Sequence, residues 1–352
     1  MIRWSWLSAL AGDTATRDRL SETRQIADML RVEAAYARAA GQCGKVPAQI
    51  GGAAADAIPG VRIDLDALAT AAARDGVPVP ALVRQIKDQV PAQLHPAVHA
   101  GLTSQDVTDT AMCLALHDIL EAFEARIVAL QAGLSALSDR FGDRPLMGRT
   151  RMQAALPVGV AHRIAQWSAP WPDHLDRLAA LRPRLLRLQL GGPVGTRQSF
   201  EGYGDVIAAE MARDLGLIAP PQAWHSQREA LAELAGWLAM VMGSLGKMGA
   251  DLTLMAQQGI DTARIAGGGD SSAMAHKANP VRAELLVALA RFGAGGVAGM
   301  QGALIHEQER SGAGWTLEWL VLPDLIEGCG GALRLGVALL SDIEDMGEPD
   351  RP

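Results

Sequence analysis

Apolar residues recur at steps of three and four along most of the chain. Leu116, Ile119, Leu120, Phe123, Ile127, Leu130, Leu134 and Leu137 trace one stripe, the mark of a long helix that buries one face. Thr108 or Asp109 is placed to cap it, because a short polar side chain there accepts from the open N–H groups of a first turn. A second helical pattern runs from Pro157 to Leu190 with Pro170 and Pro172 inside it. Each proline removes a donor and crowds the turn before it, so a kink or break is expected there. Further helical stretches cover about 227–259 and 280–309, and a last pattern runs from Leu333 to Ile343. Lys247, Asp251 and Arg291 divide the apolar runs of the first two, which argues against a membrane span. No alternating run suggests a strand and no internal repeat is evident, so the predicted fold class is all-α.

Five glycines, Gly293, Gly295, Gly296, Gly299 and Gly302, fall in a helical context, where each costs about 1 kcal/mol relative to alanine. Close approach of neighbouring helices is the expected compensation. The first part of the chain carries two short helical patterns and a Gly/Ala/Pro-rich connection at 51–60. The expected organisation is therefore a small N-terminal helical domain over 1–102, a central helical bundle over 103–343 and a short tail over 344–352.

The chain has 352 residues, 49% of them hydrophobic, enough for a large core and more than one lobe. A net charge of −7 without a basic cluster argues against binding a nucleic-acid backbone. Met1-Ile2-Arg3-Trp4-Ser5-Trp6 lacks the charged segment, apolar core and small-residue site of a signal peptide, so the cytoplasm is the expected compartment. Cys43, Cys113 and Cys329 are odd in number and far apart, giving neither a disulfide framework nor metal-ligand spacing, and are expected as buried thiols. No metal and no organic cofactor is implied.

Three polar segments interrupt the helical texture. Gly267 to Pro280 reads GGGDSSAMAHKANP, a loop whose glycines permit it to swing over a substrate. His99 to Thr110 reads HAGLTSQDVTDT, and Gly148 to Pro157 reads GRTRMQAALP. Short hydroxyls and an amide before a helix suit an anion, since exposed N–H groups and the helix dipole both favour negative charge. Fixed cations and amide donors suit a reaction whose intermediate is an aci-carboxylate.

In this order and at these separations the three segments resemble the signature regions of the fumarase/aspartase superfamily, over about Trp4 to Leu340. Within it the wording, with the later HEQERSGAGWTLEW from His306 to Trp319, is most similar to the 3-carboxy-cis,cis-muconate cycloisomerases. The resemblance implies a homotetramer with shared active sites, the glycine-rich helix lying in a four-subunit bundle, and a small tricarboxylate as substrate. It implies Ser271 as the proton-transferring residue with Ser272 as second choice, and Lys277 and Asn279 as the loop's cation and amide. Substrate binding falls to His99, Thr103, Ser104, Gln105, Arg149, Arg151 and Gln153. The chain departs from its relatives at Asp270, usually glycine, and at Ala275, usually proline. A third, C-terminal helical lobe is expected to be absent or vestigial.

Arg151 stands where the amine- and water-eliminating members carry histidine. An amine or hydroxide leaving group needs a proton, whereas a carboxylate of parent pKa near ~4 departs as an anion, so a lactone-forming enzyme can dispense with that acid. A sulfonated muconate, an adenylosuccinate-type substrate and an inactive helical scaffold are the alternatives. The 191–196 turn, GGPVGT, is read as a helix terminator, and the segment from His306 to Trp319 as interface packing.

Overall fold

In the computed structural model, which describes residues 4–266 and 279–349, the chain before the first motif forms α1 (Ser5–Ala11), α2 (Thr14–Arg19), α3 (Glu22–Gln42), α4 (Ala48–Ala57), α5 (Leu65–Asp75) and α6 (Val79–Gln89). The 38-residue α7 (Ser104–Phe141) follows and carries the whole predicted stripe, Leu116 to Leu137, into the core. Its first residue lies before the expected caps. Thr103 is the N-cap, and the Asp106 carboxylate reaches back to the Thr103 N–H at 3.0 Å. Thr108 and Asp109 lie inside the helix and are buried. Asp109 faces Arg228 in the core and the Thr108 hydroxyl donates to the Ser104 carbonyl of its own helix, and the sequence pattern alone does not separate such residues from caps.

Beyond α7 the expected all-helical texture is broken. β1 (Pro145–Thr150) and β2 (Gln153–Gly159) form an antiparallel hairpin, so the second motif lies on strands. Residues 153–157 of β2 are exposed, so neither face is buried to impose the alternation that marks a strand. The turn places Arg151 and Met152 at φ +48° and +68°, a conformation usually signalled by Asn or Gly. α8 (Val160–Ser168) and α9 (Pro170–Leu185) then divide at Ala169, where the prolines led a break to be expected.

After α10 (Gly204–Leu215), three long helices complete the bundle with α7: α11 (Glu229–Met255), α12 (Val281–Gly302) and α13 (Gly312–Asp342). α12 stops short of the predicted 309, and α13 extends far before Leu333, with Ser311 capping it through the Gly314 N–H at 2.9 Å. β3 (Ala263–Ile265) pairs with β4 (Ile343–Met346), so part of the expected tail is a strand. Of the five glycines, Gly293, Gly296 and Gly299 mark close approach, whereas Gly302 makes only ordinary contact. A Cβ on Gly296 would fall 2.4 Å from Leu325 Cδ2 of α13, and one on Gly249 of α11 would fall 2.5 Å from the Ala283 carbonyl oxygen of α12. A Cβ on Gly295 meets nothing, so packing within the chain does not explain that glycine.

By length and composition α12 is the one helix among the described residues apolar enough to cross a membrane, so Arg291 does not divide its run as expected. Only 28% of that apolar window is buried. Cys113 and Cys329 are buried, whereas Cys43 is only half-buried.

Candidate active site

The first motif is built around Asp106, fully buried one turn into α7. Its Oδ1 accepts from the Gly191 N–H at 2.8 Å and lies 2.8 Å from His225 Nε2, and its Oδ2 accepts from the Gly192 N–H at 2.9 Å and from the Thr103 N–H. One carboxylate thus joins the helix start, the glycine turn and the segment before α11. Gly192 sits at φ +70°, and α9 has already ended at Leu185, so the turn does not terminate a helix. It presents two N–H groups to a buried anion, a role that requires its backbone to come close. Gln105 is also buried. Its amide donates to the His225 carbonyl at 2.9 Å and its Oε1 accepts from Arg310 Nε at 3.0 Å, so each end of this buried side chain already holds a neighbour. Thr103 and Ser104 remain half-buried at the helix mouth.

His99, at φ +58°, lies beside this mouth with Nδ1 2.6 Å from Glu33 Oε1. Burial opposes its charge, but the Glu33 carboxylate, with Asp106 behind it, outweighs that and raises the pKa above the ordinary 6.5. Glu33 is fully buried and orients the ring.

One turn deeper, Arg228 lies between two buried acids. It donates to Asp109 at 2.6 and 3.1 Å and to Glu318 at 2.8 and 2.6 Å, with its guanidinium 4.8 Å above the Trp224 ring. Burial raises the Glu318 pKa against the pull of Arg228. Burial also lowers that of His306, whose Nε2 lies 3.5 Å from Glu318 Oε1, and the Arg228 charge adds to the effect. The segment from His306 to Trp319, read as interface packing, therefore supplies a core ion network that ties α13 to α7 and α11.

The second motif is elsewhere. Arg149, Arg151 and Gln153 are exposed on the β1–β2 hairpin, and the two arginines line a cavity of about 470 Å³ with Arg163, Lys247, Asp251 and Thr262. The residues that flank the third motif are tied to the end of α13. The Ala266 N–H donates to the Asp342 carbonyl at 2.8 Å, and Arg282 pairs with the Asp342 carboxylate. Asn279 lies half-buried before α12, whereas Ser271, Ser272 and Lys277 lie outside the described residues. The first motif opens α7 and the hairpin follows its end, and 38 residues at a 1.5 Å rise separate them by roughly 55 Å.

A lyase family profile matches residues 11–295. The chain belongs to the fumarase/aspartase family of lyases. It is 38% identical over 332 residues to the 3-carboxy-cis,cis-muconate cycloisomerase of Pseudomonas aeruginosa, covering 92% of this chain and 72% of that protein. The crystal structure of the 3-carboxy-cis,cis-muconate lactonizing enzyme of Pseudomonas putida superposes with a TM-score of 0.89 at 36% identity, covering 96% of this chain and 77% of that one. The β-carboxy-cis,cis-muconate cycloisomerase of Acinetobacter calcoaceticus gives the same TM-score at 30% identity, covering 97% and 78%. Members of this fumarase/aspartase family act on small molecules and are typically oligomeric.

Within this lyase fold the sequence pattern missed the residues that hold the first motif in place. Glu33, the pair His225 and Arg228, and Glu318 come from three distant segments, and each looks alone like an ordinary surface polar residue. The one local signal was Asp106 at the third position after Thr103, the spacing of a capping box.

Proposed function

We infer that the chain converts 3-carboxy-cis,cis-muconate to 4-carboxymuconolactone in protocatechuate breakdown. The observation that carries this is the match over 92% of the chain to an enzyme of that name. One substrate carboxylate adds to the conjugated double bond, forming the C–O bond of the lactone. The π electron pair moves to the carbon next to another carboxylate, and that carbanion takes a proton. Ser271 is assigned the proton transfer, with Lys277 and Asn279 supplying charge and an amide and Ser272 as the neighbouring hydroxyl. Thr103, Ser104 and His99 at the helix mouth, and Arg149, Arg151 and Gln153 on the hairpin, are assigned to the substrate. Arg151 offers a planar guanidinium suited to a bidentate carboxylate clamp, which fits a reaction with no leaving group to protonate.

A separation of roughly 55 Å along α7 keeps the first motif from the second within one chain, so we propose that sites are completed between copies in a homotetramer. Phe292 of α12, Leu320 of α13 and Met240 of α11 are large apolar side chains left exposed at 46%, 68% and 45%, a surface suited to burial between subunits. The cytoplasm is part of the same proposal.

Loss of the muconate diene absorbance, with the product identified by NMR, tests the reaction. Conversion to 4-carboxymuconolactone is expected; no turnover by the folded protein, with turnover of the sulfonated analogue instead, would replace the substrate. Ser271→Ala is expected to lower kcat by about 10²-fold or more while the assembly stays intact, and near-normal turnover would move the proton transfer to another residue.

A further inference from the structure

The cavity behind the hairpin turn gathers four cations, Arg149, Arg151, Arg163 and Lys247, around a single acid, Asp251. Arg149 and Arg151 are the arginines of the second motif. Arg163 of α8 and Lys247 of α11 belong to none of the three motifs, yet both reach the same carboxylate oxygen. Asp251 Oδ2 accepts from Trp167 Nε1 at 2.8 Å, pairs with Lys247, and lies 3.7 Å from Arg163 Nη1. That last distance is too long for a hydrogen bond. The other recorded polar contact of Arg163 is with Met255 Sδ at 4.0 Å, a weak acceptor. The Arg163 side chain is only 19% exposed and lines the cavity, so its donors that Asp251 leaves unmatched are open to an anion there. Lys247, 56% exposed, has further N–H donors facing the same space. One aspartate cannot neutralise two cations, so the pair retains one positive charge, and with Arg149 and Arg151 the wall carries three.

We propose that Arg163 and Lys247, held by Asp251, form a carboxylate subsite that recognises the third carboxylate of a tricarboxylate substrate and so discriminates against dicarboxylates. The inference rests on the cycloisomerase reading for its substrate class. Asp251 is a positioning residue: its anchored oxygen aims both cations into the cavity, and the Trp167 indole fixes the carboxylate from behind.

The test compares propane-1,2,3-tricarboxylate with glutarate as competitive inhibitors of the wild-type protein, Lys247→Met and Arg163→Gln. Each substitution is expected to weaken the tricarboxylate about tenfold, the loss of one hydrogen-bonded charge pair, and to change glutarate by less than about twofold. KM for 3-carboxy-cis,cis-muconate rises in parallel, kcat falls less than KM rises, and Arg163→Lys recovers part of the affinity. Equal losses for both acids, or no loss for either, overturn the inference. Lys247 lies at the surface, so Lys247→Met keeps the test valid should Arg163→Gln fail to fold. If the wild-type protein does not turn over the muconate, calorimetric titration with the same two acids still reads the subsite, so the two failures are distinguishable.

Discussion

His99 and Glu33 show how a buried carboxylate sets the state of a site residue. The pair, 2.6 Å apart, raises the His99 pKa above 6.5, so the folded protein binds the imidazole proton more tightly than the unfolded chain does. The stabilisation is fully present below about pH 6.5 and is lost as the pH rises through the raised value of the folded state. The difference in melting temperature between the wild-type protein and His99→Gln is therefore expected to be larger at pH 6 than at pH 9. A difference independent of pH would show that the pair does not titrate in this way. The histidine was visible in the sequence as part of the first motif. Its partner was not, because Glu33 lies 66 residues earlier within a helix whose many acidic and basic residues look alike.

At the scale of elements, the bundle is held both by close backbone approach and by buried charge. Alanine at position 249 gains about 1 kcal/mol of helix propensity, but its Cβ would lie 2.5 Å from the Ala283 carbonyl oxygen and 2.9 Å from Leu286 Cβ. Forcing α11 from α12 costs about 1–3 kcal/mol, so Gly249→Ala is expected to lower stability in denaturant unfolding. Unchanged or higher stability would mean that the helices separate easily. Arg228→Met leaves Asp109 and Glu318 buried without their shared cation, and a loss of about 3–5 kcal/mol is expected, measured at fixed protein concentration because assembly contributes to stability. A loss under about 1 kcal/mol would mean that water or a proton replaces the guanidinium. The helix periodicities and the break at the prolines were legible because burial of one face repeats in the sequence. The hairpin was not, since its exposed strand carries no such repeat and its turn uses Arg and Met at positive φ.

Assembly decides the largest scale. Phe292→Asp with Leu320→Asp places charges on the exposed apolar faces of α12 and α13, and the double variant is expected to dissociate to smaller species in light scattering and to lose turnover with the dissociation. Full activity in a monomer would refute shared sites. The sequence by itself determined the helical class, the position of the bundle stripe and the family, because these depend on local periodicity and on short contiguous motifs. Tertiary structure alone decided that Asp106 ties three segments together, that Arg228 joins α7 to α13, and that Arg163 and Lys247 share one aspartate with the hairpin arginines nearby. Those arrangements are contacts between residues far apart in the chain. Their energies come from desolvation and from geometry, and neither is written in the spacing of residues along a line.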